Sequence, residues 1–281
     1  VTVLRLGHIT YSNCFPVHAR LIDQPRPGDP LLIPGVPSEL NRLLDTGEID
    51  VAPCSSIEYA RHADRYRILP DLVIGADGPV RSILLLSDRD PESLDGELVG
   101  LPSASATSVV LLKILLKERW ASAPRFFWFD QARDDPFAMG AAAALFIGDV
   151  AMRQGLHADR AVRLDLGFEW REHTGLPFAF AVWQAAGWDD EELGALHRLL
   201  VESRDFAAEN RAVLAAKYAL QFGMAPRALL DYWAGLTFHL DERMVRGLEA
   251  FYALAARIGE IPDAPEQRWV GEHPVSRNPR E

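Results

Sequence analysis

Cysteine is scarce in this chain, metal-binding spacing is absent, and basic residues are outnumbered. The 281 residues include two cysteines, Cys14 and Cys54. Two thiols make neither a disulfide framework nor a tetrahedral zinc site. Both sit in apolar or turn contexts and are expected as buried or half-buried free thiols. The eight histidines show no HxH, HExxH or His/Cys pairing, so no metal is expected. Only His8, close to the loop that holds Asn13, attracts notice. No GxGxxG, GxxxxGK[ST] or GxSxG segment occurs, which removes dinucleotide, nucleoside triphosphate and serine-hydrolase chemistry in their common forms.

Lysine and arginine number 29 against 40 acidic residues, a formal net charge of −11. That balance argues against nucleic acid and anionic membranes as partners. It also means that an anionic ligand must be held by local donors. No apolar run approaches the roughly 20 residues of a membrane span. The opening VTVLRLG reads as a strand rather than a leader, so a soluble cytoplasmic protein is expected. The length fits about two domains.

Two strand–helix units alternate along the first two thirds. Val3–Ile9, Leu31–Pro34, Ile49–Pro53, Asp71–Ala76 and Val80–Ser87 read as strands of a mainly parallel arrangement. Leu40, Leu43 and Leu44 make the apolar stripe of a helix that Pro37 can open, Ser38 can cap and Gly47 can stop. Leu98–Leu101, the helix Val109–Trp120, Phe126–Phe129 and Ala141–Ile147 form a second unit. Leu164–Trp170 and Phe178–Trp183 are the last strand expectations. After Trp188, leucines at helical spacing, and Met244, Leu248, Phe251 and Leu254 behind a cap at Asp241, predict a helical final third. The tail beyond Trp269 is rich in proline and charge and is expected to be loose.

This order predicts an α/β protein of two lobes around a cleft. Lobe 1 is expected to comprise residues 1–90 and 180–281, and lobe 2 residues 91–179. The chain would cross near Val80–Ser87 and return near Pro177–Trp183.

Hydroxyls gather where strands end, the edge at which open α/β sheets place ligands. Ser103–Ser108 holds four hydroxyls in six residues and leads into the helix VVLLKILL. Free N–H groups and the helix dipole favour a carboxylate or phosphate there. A cap alone needs only one such hydroxyl. Ser55-Ser56 follow a second strand and read either as a turn or as another donor cluster. Asn13 follows the first strand, as a loop residue or as a neutral donor and acceptor. Ser82 interrupts an apolar run and, if buried, needs a partner from backbone or ligand. Gly148-Asp149 place a carboxylate at a third strand end, as a helix cap or a site group. Either Arg5, Arg81 or only neutral donors could meet a second carboxylate.

With those segments in view, the chain resembles chorismate dehydratase of the futalosine route to menaquinone. The matching blocks are YSN followed by FP, GVPSELNRLLDTGEIDVAPCSSIEYA, LPDLVIGADGPVRSILLLS, LPSASATSVVLLKILL, LFIGDVAM and LGFEWREHTGLPFAFAVW. They cover roughly residues 3–185 in the family's order. The resemblance implies a type II periplasmic-binding-protein-like fold, a dicarboxylate substrate, no cofactor and no metal. It places the catalytic asparagine on Asn13 and an active-site serine on Ser82. Substrate-binding elements fall on Ser55, Ser56, Ser105, Thr107 and Ser108, with Gly148 and Asp149 beside them. Ser12 and Cys14 depart from the family, where many members carry leucine and a larger residue. Two other functions stay open: a non-catalytic binder of a small carboxylate, and the related 1,4-dihydroxy-6-naphthoate synthase. The latter depends on a central histidine, and the nearest here, His157, lacks that context.

Overall fold

The first lobe is assembled from β1 (Arg5–Ile9), α1 (Phe15–Asp23), β2 (Leu31–Gly35), α2 (Pro37–Asp45), β3 (Val51–Ser55), α3 (Ser56–Arg61) and β4 (Arg67–Ala76). The second contains β5 (Ile83–Ser87), β6 (Leu98–Pro102), α4 (Thr107–Glu118), β7 (Arg125–Phe129), β8 (Ala143–Ile147), α5 (Gly148–His157), β9 (Val162–Asp165) and α6 (Leu166–Thr174). The chain returns through β10 (Phe178–Ala185) to α7 (Asp190–Glu209), α8 (Arg211–Tyr218), α9 (Pro226–Ala234) and α10 (Glu242–Ile258). The computed structural model describes residues 3–157 and 161–271. The tail expectation therefore lies largely outside the described residues.

Each lobe is built on a five-stranded sheet, ordered β2-β1-β3-β10-β4 and β7-β6-β8-β5-β9. Both are mixed rather than mainly parallel. β1 runs parallel to β2 and β3, whereas β10 runs antiparallel to β3 and β4. In the second sheet β6 is parallel to β7 and β8, and β5 is antiparallel to β8 and β9. The antiparallel members are the strands by which the chain leaves and re-enters a lobe.

Local sequence explains most boundaries. In α2, Leu40, Leu43 and Leu44 are buried as one stripe. Pro37 already lies in the first turn, so extended Val36 is the cap and Ser38 is not. Asp241 caps α10 by accepting the Met244 N–H at 2.8 Å.

Two expectations are corrected. Leu164–Trp170 is not one strand, because β9 ends at Asp165 and α6 begins at once. Asp165 accepts the N–H groups of Gly167 and Phe168 at 3.0 and 3.1 Å, a side-chain cap that outcompetes strand extension. Leu166 and Trp170, four apart, then face the core together. The second correction concerns the crossing. β5 pairs wholly within the second sheet, so residues 77–82 make the crossing and the expected boundary at residue 90 lies too late. β10 likewise belongs entirely to the first sheet.

The lobes are joined by an aromatic cluster beside the return crossing. Trp170 of α6 meets Phe178 of β10 edge-on at 5.0 Å, and Phe178 meets Phe251 of α10 in the same way, also at 5.0 Å. The Trp170 indole N–H donates to the Pro177 carbonyl at 3.2 Å. Emptying such a buried tryptophan site typically costs about 3–5 kcal/mol.

Candidate functional site between the lobes

The sheet topology brings the expected segments to one edge of each lobe. β1 and β3 are neighbouring parallel strands, so the Asn13 loop and Ser55-Ser56 leave the same carboxyl edge. β6 and β8 are likewise adjacent and parallel, which aligns Ser103–Ser108 with Gly148-Asp149. β5 runs the other way, with Ile83 opposite Ile147, so Ser82 enters that edge beside Gly148.

The segment Tyr11–Asn13 meets the second lobe directly. The Ser12 hydroxyl donates to Asp149 Oδ1 at 2.6 Å, and the Ser12 N–H lies 3.2 and 3.3 Å from the two carboxylate oxygens. The Gln131 amide is fixed by both backbone groups of Ile147, donating to the carbonyl at 3.2 Å and accepting the N–H at 3.0 Å. Gly148 adopts the left-handed conformation with φ of +61°, and a Cβ there would lie 2.9 Å from the Tyr11 ring. Glycine is therefore required twice over, by dihedral and by space.

Ser82 is fully buried. Its carbonyl accepts the Gly148 N–H at 2.7 Å, and its hydroxyl accepts the Tyr232 O–H at 2.8 Å. The neighbouring Trp233 donates its indole N–H to the Ser12 carbonyl at 2.8 Å. A closed circuit thus runs from Ser12 through Asp149 and Gly148 to Ser82, on to Tyr232, and back through Trp233. Sequence reading missed Tyr232 and Trp233. They lie in the helical third, where no block of the resemblance falls, and aromatic residues on a helix read as core.

Asn13 follows Ser12 in the chain, and its Oδ1 is buried and without a hydrogen-bond partner among the described residues. Buried polar atoms are nearly always paired. An orphan acceptor in the loop after β1 is a place for a ligand donor.

The hydroxyl clusters divide into committed and available groups. The Ser56 hydroxyl donates to the Ala179 carbonyl at 2.7 Å, and Thr107 Oγ1 accepts the Ile57 N–H at 3.1 Å. Thr107 therefore joins the start of α4 to the start of α3 across the lobes. Ser105 and Ser108 share a hydroxyl contact at 3.1 Å, with the Ser108 N–H 3.4 Å from Ser105 Oγ. The Ser55 N–H donates to Asn41 at 3.2 Å and its carbonyl accepts from Gln184 at 3.0 Å. Asp149 differs from expectation as well, because Ser12 occupies its carboxylate. Arg5 is held by Asp50 at 2.6 Å, at the opposite end of β1. Arg81 has φ of +65°, and its N–H, like that of Val80, is held by Asp165.

Burial raises the pKa of Asp149 and of Asp165, and donated hydrogen bonds oppose the shift in each. Both carboxylates are thereby tied to neighbouring donors rather than poised as free bases.

One cluster went unseen in the sequence. His8 Nδ1 lies 2.9 Å from His18 Nδ1, and Cys14 Sγ lies 3.8 and 3.9 Å from the two. The three ligand atoms are close enough to hold a metal ion. The chemistry of the donor set argues otherwise. Trp183 donates its indole N–H to His18 Nε2 at 3.1 Å, and an indole can only donate. A neutral His18 then carries its proton on Nδ1, the atom that would have to ligate. The geometry is that of a hydrogen-bond chain, Trp183 to His18 to His8. Burial pushes the Cys14 thiol up to about 12, so it is no thiolate at neutral pH. The Cys54 thiol, also buried and free, is raised too.

Among the described residues, no helix is long and apolar enough to cross a membrane. A structure from Archaeoglobus fulgidus superposes with a TM-score of 0.77 at 20% identity, covering 92% of this chain and 98% of the other. The periplasmic aliphatic sulphonate binding protein of Escherichia coli superposes with a TM-score of 0.65 at 14% identity over 99% of this chain and 94% of its own. The fold is therefore that of the periplasmic binding proteins. A chorismate dehydratase of Thermus thermophilus is 33% identical over 277 residues, covering 92% of this chain and 96% of that protein. One from Campylobacter jejuni is 33% identical over 183 residues, 62% of this chain and 64% of that protein. The family model for menaquinone biosynthesis matches residues 4–257, and the chain belongs to that family.

Proposed function

We propose that this protein removes water from chorismate to give 3-[(1-carboxyvinyl)oxy]benzoate, a step toward menaquinone, in the cytoplasm. The observation that carries the reading is the orphan Oδ1 of Asn13, buried next to Ser12, whose own groups bind the second lobe. Chorismate brings a ring hydroxyl that can donate to it.

The reaction needs direction more than force, because loss of water makes the ring aromatic. The hydrogen on C3 leaves as a proton, its electron pair enters the ring, the C4–O bond breaks, and the departing hydroxide takes up the proton from the base that removed it and leaves as water. The two carboxylates buried beside the crossing are bound to Ser12 and to backbone N–H groups. Both carboxylates are thus engaged by protein donors, which favours the substrate's own enolpyruvyl carboxylate as the proton acceptor. On this reading Asn13 and Ser82 orient the ring so that carboxylate and C3 hydrogen meet, an effect of positioning. Ser82 can also hydrogen-bond the departing oxygen. The N-terminus of α4, with Ser105 and Ser108, offers donors for a carboxylate, and Ser55-Ser56 stand at the carboxyl edge of the first lobe. Lobe closure through Thr107 and Ser12 keeps out bulk water.

The test is incubation of the purified protein with chorismate while the diene absorbance is followed and the product identified by mass. Loss of the diene with formation of the enolpyruvyl benzoate is expected. A protein that binds chorismate without consuming it is a carboxylate-binding protein, and formation of a naphthoate from cyclic de-hypoxanthine futalosine points to the sister enzyme.

A further inference from the structure

We propose that Tyr232 and Trp233 of α9 are positioning residues for the dehydration, Tyr232 directing the Ser82 hydroxyl and Trp233 holding the Asn13 segment. The inference rests on the proposed function and extends it to the helical third of the chain.

Consecutive residues on a helix diverge by about 100°. One turn of α9 therefore reaches two segments that are far apart in sequence. Tyr232 is almost fully buried, as is Trp233. The phenol has one proton, and burial raises its pKa, so it remains a donor at any physiological pH. It spends that proton on Ser82 Oγ at 2.8 Å. Ser82 thereby has an acceptor site filled, and its own proton is left to point at a different acceptor. Its carbonyl is already taken by the Gly148 N–H. The hydroxyl of Ser82 is thus set up as a donor, the role that a departing oxygen requires.

Trp233 acts on the other side. Its N–H holds the Ser12 carbonyl at 2.8 Å. Its ring stacks on Phe15, with centroids 5.4 Å apart and planes inclined by 4°. Ser12 and Phe15 flank Asn13 and Cys14, so one indole grips both sides of the loop that carries the orphan amide. α9 also joins the apolar cluster formed by Phe15, Ala19, Leu214 and Phe222, which fixes the helix itself. Apolar filling alone would call for phenylalanine at both positions. The polar atoms are what reach Ser82 and Ser12.

The experiment uses the full chain with chorismate as substrate. Tyr232→Phe keeps the ring and removes only the donor. It is expected to lower kcat about 10- to 100-fold, the loss of one well-placed hydrogen bond, with KM changed less than about twofold. In a Ser82→Ala background the same substitution is expected to have little further effect, because the two residues act as one unit. Trp233→Phe keeps the stack on Phe15 and is expected to lower kcat by more than its fall in thermal stability explains, the Ser12 carbonyl being left unpaired. An active parent with an equally active Tyr232→Phe overturns the inference, as does an equal loss with and without Ser82. If Tyr232→Phe does not fold, an unchanged kcat in folded Trp233→Phe overturns it. A parent inert toward chorismate sinks the functional reading, and this inference with it.

Discussion

Ser12 donates its hydroxyl to Asp149 at 2.6 Å, and so ties the loop after the first strand of one lobe to the start of a helix in the other. The backbone N–H of Ser12 reaches the same carboxylate. Burial raises the pKa of Asp149, and these donations limit the rise.

Ser12→Ala leaves that carboxylate with the N–H alone. A buried group deprived of a partner costs about 1–3 kcal/mol, which urea denaturation will read as a lower midpoint. The pH dependence follows from the direction of the shift. Above the ordinary carboxyl value of about 4 the folded state still holds a proton that the unfolded state has lost. Stability therefore falls as pH rises through that window. Ser12→Ala should extend the window upward, and Asp149→Asn should abolish its contribution.

The histidine chain gives the opposite sign. Burial lowers His8 to about 4, and lowers His18 further below its ordinary value with His8 contributing. Unfolded histidine titrates near about 6.5. Between that value and about 4, the unfolded state binds protons that the folded state refuses, so stability is lost as pH falls. Denaturation from pH 7 to 4.5 should show this slope, with proton uptake on unfolding. His8→Gln should remove about one proton from it. If zinc at stoichiometric concentration stabilises the native protein through Cys14, the hydrogen-bond reading of the cluster is wrong.

Gly148→Ala tests the close approach of the lobes. The left-handed dihedral alone costs a non-glycine residue about 1–2 kcal/mol. The added carbon would also collide with the Tyr11 ring, at 2.9 Å. Tyr11 must then shift, and with it the loop that carries Asn13. The expected result is a fall in kcat/KM larger than the loss of stability explains, measured by pairing steady-state kinetics with thermal unfolding.

Much of this architecture was legible from the chain itself. Leucines at helical spacing, Pro37 and Asp241 announced their helices, and the order of strands announced two lobes. Leu164–Trp170 is apolar enough to read as one strand, but the Asp165 carboxylate caps a helix within it. The crossing was placed late because apolar content does not say which sheet a strand joins. The strand-end segments stand out in the sequence because they carry hydroxyls and amides in loops. Whether a hydroxyl is free or committed cannot be read this way, since the partner of Ser56 lies 123 positions away at Ala179. Tyr232 is 150 positions from Ser82, and nothing local to either names the other.

Asn13 separates the functional reading from a purely structural one. Its Oδ1 has no partner among the described residues, so removing it breaks no hydrogen bond of that oxygen among them. Asn13→Ala should therefore leave thermal unfolding within about 1 kcal/mol of the parent, as expected for a substitution that breaks no buried contact. Turnover of chorismate should fall by about 100-fold or more, the scale on which misplacing a reacting group acts. Asn13→Asp keeps an acceptor oxygen and the shape, but exchanges the amide NH₂ for charge beside an anionic substrate. It should lower kcat and raise KM together. If Asn13→Ala destabilises the fold while kcat survives, the asparagine serves the loop, and the site must be sought elsewhere along the cleft.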